Sequence, residues 1–354
     1  MTEQNNNLII QVEGDDSSAA QLRTSNQVPN PIVNIIEGSE NPDIIFGTPG
    51  NDQIFAKGGN DTIFGSLGDD LINGGAGFDS LDYSVLGQKI TLLPQGLIGN
   101  GISQGSRIQG IEKIIGAAGK DNTIDGSGTK ETPVFFTINL AKNLLVVEDI
   151  PGLGSVKFEV ENFVNVEGTE NSDSITGNKG KNKLSGNGGN DNLIGKSGND
   201  TLFGGSGNDT LTGADSLIKN TTRAEKDVLT GGTGGDTFVL GNKFGSFYDD
   251  FGNQDFAKIT DFSFGDQIQL GSGETYNIQQ NQSGFNIFLI DDSGRDLIAK
   301  VTLSLGITDS ISTNNAMLRT DTASIDSNSN VLLDDIPQGD FTINAGEQKG
   351  IFVA

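Results

Sequence analysis

Asp43, Asp52, Asp61, Asp70 and Asp79 stand nine residues apart. Asp173, Asn182, Asp191, Asp200 and Asp209 repeat that interval further on, and Asp227 and Asp236 follow. A glycine lies two residues before most of them, at Gly50, Gly59, Gly68, Gly77, Gly180, Gly189, Gly198, Gly207 and Gly234. An aliphatic residue or Phe lies two residues after each: Ile45, Ile54, Ile63, Ile72, Leu81, Ile175, Leu184, Leu193, Leu202, Leu211, Leu229 and Phe238. Carboxylates delivered at a fixed interval in glycine-rich turns are hard oxygen donors, and with turn carbonyls they suit a hard divalent cation such as Ca²⁺. Asp and Asn as plain turn formers would explain a turn every nine residues. They would not explain why the sixth position prefers Asp over Asn, Ser or Gly.

The elements that position these acids follow from the same interval. Nine residues divide into a six-residue turn and a three-residue strand whose middle side chain points inward, because strand side chains alternate. Two nonapeptides make a coil of 18 residues, so residue n stacks on n+18. Asp43, Asp61 and Asp79 then line one edge, and Asp52 and Asp70 the other. One buried aliphatic per nine residues contributes about 1.5–3 kcal/mol. That falls short of the entropy of nine ordered residues, at about 1–2 kcal/mol each for the backbone alone. Stacked carboxylates also repel, and a cation between them removes the repulsion while it fastens the coils.

Three copies match G-G-x-G-x-D-x-U at every fixed position: Gly74 to Leu81 (GGAGFDSL), Gly204 to Leu211 (GGSGNDTL) and Gly231 to Phe238 (GGTGGDTF). On these residues the chain resembles the RTX, or hemolysin-type, calcium-binding repeat proteins. The resemblance implies an all-β fold, a right-handed parallel β-roll or β-solenoid, loaded with several Ca²⁺ ions. Carried over residue by residue, it makes Asp43, Asp52, Asp61, Asp70, Asp79, Asp173, Asp191, Asp200, Asp209, Asp227 and Asp236 the charged calcium ligands. Asn182 lacks the charge. The family likeness also implies an extracellular, secreted protein, exported by type I secretion machinery through an uncleaved C-terminal signal and folding where calcium is plentiful.

Composition narrows the partners. With 47 acids against 22 bases, the 354-residue chain carries a net charge of −25. Such a surface argues against nucleic acid, which requires a basic face, and against plain binding to anionic membranes. Cys and His are both absent. Disulfides, Ser–His–Asp and Cys–His catalysis and His-ligated zinc therefore all fail. Gly101 to Gly105 (GISQG) spells a nucleophile elbow, yet Ser103 has no histidine to serve as its base. Carboxylate pairs such as Asp249 with Asp250, or Asp291 with Asp292, could cleave glycosides, but nothing distinguishes them from solvated loop acids. The expectation is a protein that is not an enzyme. No apolar run is long enough for a transmembrane segment, and the opening MTEQNNNLII is not a Sec signal.

In chain order, residues 1–36 read as a polar N-terminal leader and 37–82 as the first repeat block. Residues 83–166 read as an irregular β-solenoid or an inserted β domain, with a relic repeat at 116–124 (GAAGKDNTI) that puts Asn122 in the ligand position. The second block spans 167–240, and Ile218 at a would-be ligand position marks a loop insertion at about 213–226. Nine of the 20 Phe fall between Phe238 and Phe288, so 241–308 reads as a β cap over the open end of the roll. Residues 309–354, with seven acids and two bases, read as a weakly structured acidic tail and type I secretion signal. The leading expectation is a non-catalytic calcium-binding β-roll with a structural or surface role. The alternatives are a calcium-dependent adhesin or polysaccharide-binding module for extracellular polysaccharide or cell-surface glycan, and a carboxylate-dependent polysaccharide-active enzyme.

Overall fold

The computed structural model describes residues 8–12, 34–94, 106–128, 132–215, 224–249, 251–292 and 294–304, and the backbone of four later strands at 323–325, 331–333, 340–344 and 350–353. Among the described residues the regular secondary structure is almost wholly β, with two short 3₁₀ turns, and tight turns join the strands. It forms two compact units, Met1–Glu167 and Gly168–Ala354. Ser103 and its motif, the loop at 216–223, most of the leader and the rest of the C-terminal tail lie outside the described residues.

In the first unit, each x-U-x triplet forms a three-residue strand that buries its middle side chain, as in Ile44–Phe46, Thr62–Phe64 and Ser80–Asp82. These strands pair in parallel with an 18-residue offset, Ile45 on Ile63 on Leu81. A second parallel sheet stacks Asn34–Glu37, Asp52–Phe55 and Leu71–Asn73 with the same offset. Short parallel strands with turns on both edges constitute a β-roll, whose core is a column of single aliphatics. Ile54, Ile63, Ile72 and Leu81 are fully buried in it.

Residues 83–166 hold both parallel and antiparallel strands. Ser106–Gln109 and Lys113–Ile115 continue the parallel sheets from Leu71–Asn73 and Ser80–Asp82. Phe135–Asn139, Leu144–Ile150 and Gly154–Glu161 form an antiparallel meander inserted into one sheet. The leader is not wholly loose either. Leu8–Val12 inserts antiparallel between Ile90–Leu93 and Ser106–Gln109, and so fills a gap between strands whose amides would otherwise lack partners.

In the second unit the column runs Ile175, Leu193, Leu211, Phe238 and Ile268 in one sheet. In the other it runs Leu184, Leu202, Leu229, Ile259 and Val301. The offset here is not always 18. Leu211 pairs with Phe238 and Leu202 with Leu229, each 27 residues away. The excursion after Leu211 adds nine residues to one turn, which keeps the strand phase while lengthening the coil. Asp227 therefore stacks over Asp200, not over Asp209 as an 18-residue coil would place it.

The Phe-rich segment closes this unit with Phe256–Phe262 in parallel and an antiparallel sheet of Thr275–Asn281, Gly284–Asp291 and Gly294–Leu303. Phe262 bridges Phe238 and Phe285, with ring centroids 6.1 and 6.0 Å away. The tail, expected to be weakly structured, contributes strands. Gly350–Val353 pairs with Gln267–Gln269, and Asp340–Asn344 with Thr275–Asn281. An exposed sheet edge favours such additions.

The single-file core has a direct consequence. Leu202→Ala should destabilise the calcium-saturated protein by about 2–5 kcal/mol in chemical denaturation. Thr201→Ala, on the outer face of the same strand, should stay within about 0.5 kcal/mol.

Candidate metal centre

Each ligand-position aspartate ends a turn and starts a strand, and the stacking turns them into ladders. The backbone N–H of one donates to the Oδ1 of the next coil's aspartate: Asp43 to Asp61 (2.8 Å), Asp61 to Asp79 (2.8 Å) and Asp52 to Asp70 (2.9 Å). In the second unit Asp173 donates to Asp191 and Asp191 to Asp209, then Asp209 to Asp236. On the opposite edge Asn182 donates to Asp200 and Asp200 to Asp227. One oxygen of each carboxylate after the first in a ladder is thus used to hold the coil before it.

Members that the nine-residue count missed extend the ladders. Asp79 N–H donates to Glu112 Oε2, and Asp70 N–H to Ser106 Oγ. Asp236 N–H donates to Asp266 Oδ1, and Glu225 N–H to Asp255 Oδ1. Asp266 lies two residues before the buried Ile268 and holds the ligand position, whereas Asp255 continues the neighbouring row of Gly198 and Glu225, because Ala257 pairs with Asp227. The signature at Asp266 was available, but an interval of 30 residues breaks the count. The relic repeat does hold a rung: Asn122 Oδ1 accepts from Ile90 N–H at 3.0 Å.

The second oxygen decides the chemistry. On Asp61, Asp79, Asp191, Asp200, Asp209 and Asp236 it is buried and no donor reaches it. An unpaired buried carboxylate oxygen carries a desolvation cost that native proteins do not leave uncompensated. In the turns of Asp79, Asp191, Asp200 and Asp209 the first glycine faces that oxygen, and a backbone carbonyl from the coil above comes to the same place, as also at Gly38 and Gly168 beside Asp43 and Asp173. A Cβ on Gly204 would lie 2.3 Å from Asp209 Oδ2 and 2.4 Å from Gly231 O; on Gly195, 2.4 Å from Asp200 Oδ2 and 2.6 Å from Gly213 O. Carboxylate and carbonyl oxygens converging with no hydrogen between them repel, and a hard cation reverses the sign of that contact. Among the described residues no group of three Asp, Glu, His or Cys side chains comes together. A cation here takes most of its oxygens from the backbone.

Asn122 provides an internal control. Its amide replaces the second oxygen with a donor, and Nδ2 donates to the carbonyls of Asn162 (2.7 Å) and Ala117 (2.9 Å). A neutral amide satisfies the same kind of turn carbonyls that an Asp rung leaves facing an anion.

The family pattern described as the RTX calcium-binding nonapeptide repeat matches in four copies, over residues 33–62, 46–81, 167–202 and 185–216. The chain carries RTX calcium-binding repeats. No curated protein sequence matches the chain. Among solved structures, the extracellular lipase LipA from Serratia marcescens is similar at 17% identity and a TM-score of 0.24. That match covers 80% of this chain and 40% of the lipase, so this chain spans less than half of that protein's length. No helix among the described residues is long and apolar enough to cross a membrane.

Burial shifts the RTX aspartates in the metal-free protein. Desolvation lifts Asp191 and Asp200 to about 8 and Asp227 to about 7, while Asp70, Asp236 and Asp266 rise to about 6. Each folded value lies above the ordinary 3.8, so the proton-linked stability is fully present below pH 3.8 and is lost as pH rises through 6 to 8. The calcium-free protein should therefore keep more β signal by circular dichroism at pH 4.5 than at pH 8. Apparent calcium affinity should rise across the same interval, because calcium displaces the protons of Asp191, Asp200 and Asp236. Sterically, Gly204→Ala should weaken calcium binding and destabilise the loaded protein by about 1–3 kcal/mol. Gly180→Ala, whose Cβ meets nothing nearer than 3.5 Å, should be tolerated in the same denaturation and titration assays.

Proposed function

We propose that the chain is a secreted, non-catalytic β-roll that calcium folds outside the cell, with a structural or surface role. The observation that carries this reading is the set of six buried carboxylate oxygens, on Asp61, Asp79, Asp191, Asp200, Asp209 and Asp236, that no protein donor reaches. Calcium bound at the turns supplies positive charge between coils whose hydrophobic column is one residue wide. At low calcium the carboxylates repel and the coils separate, which keeps the chain extended for export. The acidic tail at 309–354, with its apolar end, suits recognition by type I machinery, and calcium outside then drives folding in one direction. Without histidine or cysteine, the chain lacks the usual general bases and nucleophiles, which supports a role in architecture over catalysis.

Circular dichroism at pH 7.5 tests the reading. The β signal should be lost on chelation and return in millimolar calcium but not in millimolar magnesium, whose demand for octahedral coordination fits these flexible turns poorly. An unchanged spectrum after chelation would contradict calcium-driven folding.

A further inference from the structure

Resting on that reading, the structure assigns calcium to six of the eleven ladder aspartates and withholds it from the other five, and in every turn but that of Asp227, which Tyr248 closes, the second residue makes the choice. In the turns of Asp61, Asp79, Asp191, Asp200, Asp209 and Asp236 this residue is Lys57, Gly75, Asn187, Lys196, Gly205 and Gly232. All six are left-handed, with φ between 73° and 120°. These are the six turns whose Oδ2 lacks a donor. Left-handed backbone is strained for lysine, and such strain persists where the surroundings impose it, often around ligands.

In the turns of Asp43, Asp52, Asp70 and Asp173 the second residue, Ser39, Thr48, Ser66 or Thr169, is not left-handed, and there and at Asp227 the carboxylate is closed by protein hydrogens. Ser39 donates its N–H (2.6 Å) and hydroxyl (2.9 Å) to Asp43 Oδ2. Thr48 N–H donates to Asp52 Oδ2 and Thr169 N–H to Asp173 Oδ2, both at 2.6 Å, and their hydroxyls reach Oδ1. Ser66 Oγ donates to Asp70 Oδ2 at 3.1 Å. At Asp227 the donor is the buried hydroxyl of Tyr248, 2.7 Å from Oδ2. A Cβ on Gly213 would meet that hydroxyl at 2.4 Å, where the equivalent positions on Gly195 and Gly204 meet a carbonyl. A hydrogen aimed at the carboxylate uses its lone pair and repels a cation. Left-handed rotation of the second residue goes with an oxygen left bare for metal.

Some closed turns fall at the ends. Asp43 and Asp173 begin their ladders, and Asp266, closed by Ser263 N–H and Oγ, ends the run of Asp191, Asp209 and Asp236. Calcium thus occupies the Asp61–Asp79 and Asp191–Asp209–Asp236 runs and Asp200, whereas the Asp52–Asp70 stack is closed throughout by Thr48 and Ser66.

Equilibrium dialysis of the full chain against saturating calcium in 0.15 M salt, counting ions per chain, tests the assignment. Asp191→Asn and Asp209→Asn should each lower the count by at least one, whereas Asp43→Asn, Asp52→Asn and Asp173→Asn should leave it unchanged. Asn187→Thr keeps every aspartate but puts a β-branched residue where φ must be positive; it should remove an ion from the Asp191 turn. Equal losses from both groups of aspartates, or an unchanged count in Asn187→Thr, would overturn the assignment while leaving calcium binding intact. A wild-type chain that binds no calcium would instead defeat the functional reading beneath it.

Discussion

A carboxylate oxygen out of water, with no hydrogen to accept, is the constraint on which this fold rests. Each coil contributes one inward aliphatic per strand, too little to order the glycine-rich turns around it. The aspartates hold neighbouring coils through Oδ1, but in six turns Oδ2 is left without a donor, and in four of them, at Asp79, Asp191, Asp200 and Asp209, it faces a carbonyl of the next coil. The protein's own hydrogen bonds therefore assemble an anionic surface that they do not neutralise. Folding is incomplete as electrostatics until a cation or a proton arrives, and the same atoms make the chain responsive to both.

Much of this was legible in the sequence because a roll is nearly one-dimensional. A period of nine fixes strand, turn and coil together, so Ile45 on Ile63 on Leu81 and Asp43 on Asp61 on Asp79 follow by arithmetic. Asn122 could be recognised in a degenerate repeat for the same reason. The arithmetic fails where the chain adds residues to a turn. The excursion after Leu211 moves Asp227 onto Asp200, and an interval of 30 hides Asp266. Antiparallel pieces are invisible to a repeat count altogether. Leu8–Val12 completes a sheet through backbone hydrogen bonds, to which its modest sequence pattern gives no clue.

The difference between aspartates was less legible still. All eleven occupy the same position in the repeat, and nothing in the carboxylate itself distinguishes Asp43 from Asp61. The distinction lies four residues upstream, in whether Ser39 or Lys57 leads the turn, and it works through backbone conformation. Serine and threonine supply hydrogens and keep ordinary φ; glycine, asparagine and two strained lysines do not close the carboxylate. A sequence reader who treats the second position as a weaker glycine preference passes over this. Its meaning emerges only when Ser39 N–H is seen on Asp43 and no equivalent donor is seen on Asp61.

The most direct measurement of the central claim is a long-wavelength anomalous difference map from crystals grown in millimolar calcium. Peaks should stand beside Oδ2 of Asp61, Asp79, Asp191, Asp200, Asp209 and Asp236, each also within calcium-coordination distance of carbonyls from the adjoining coil. A map without peaks there, those oxygens instead bonded to water or to protein donors, would show that the coils are held together by something other than metal.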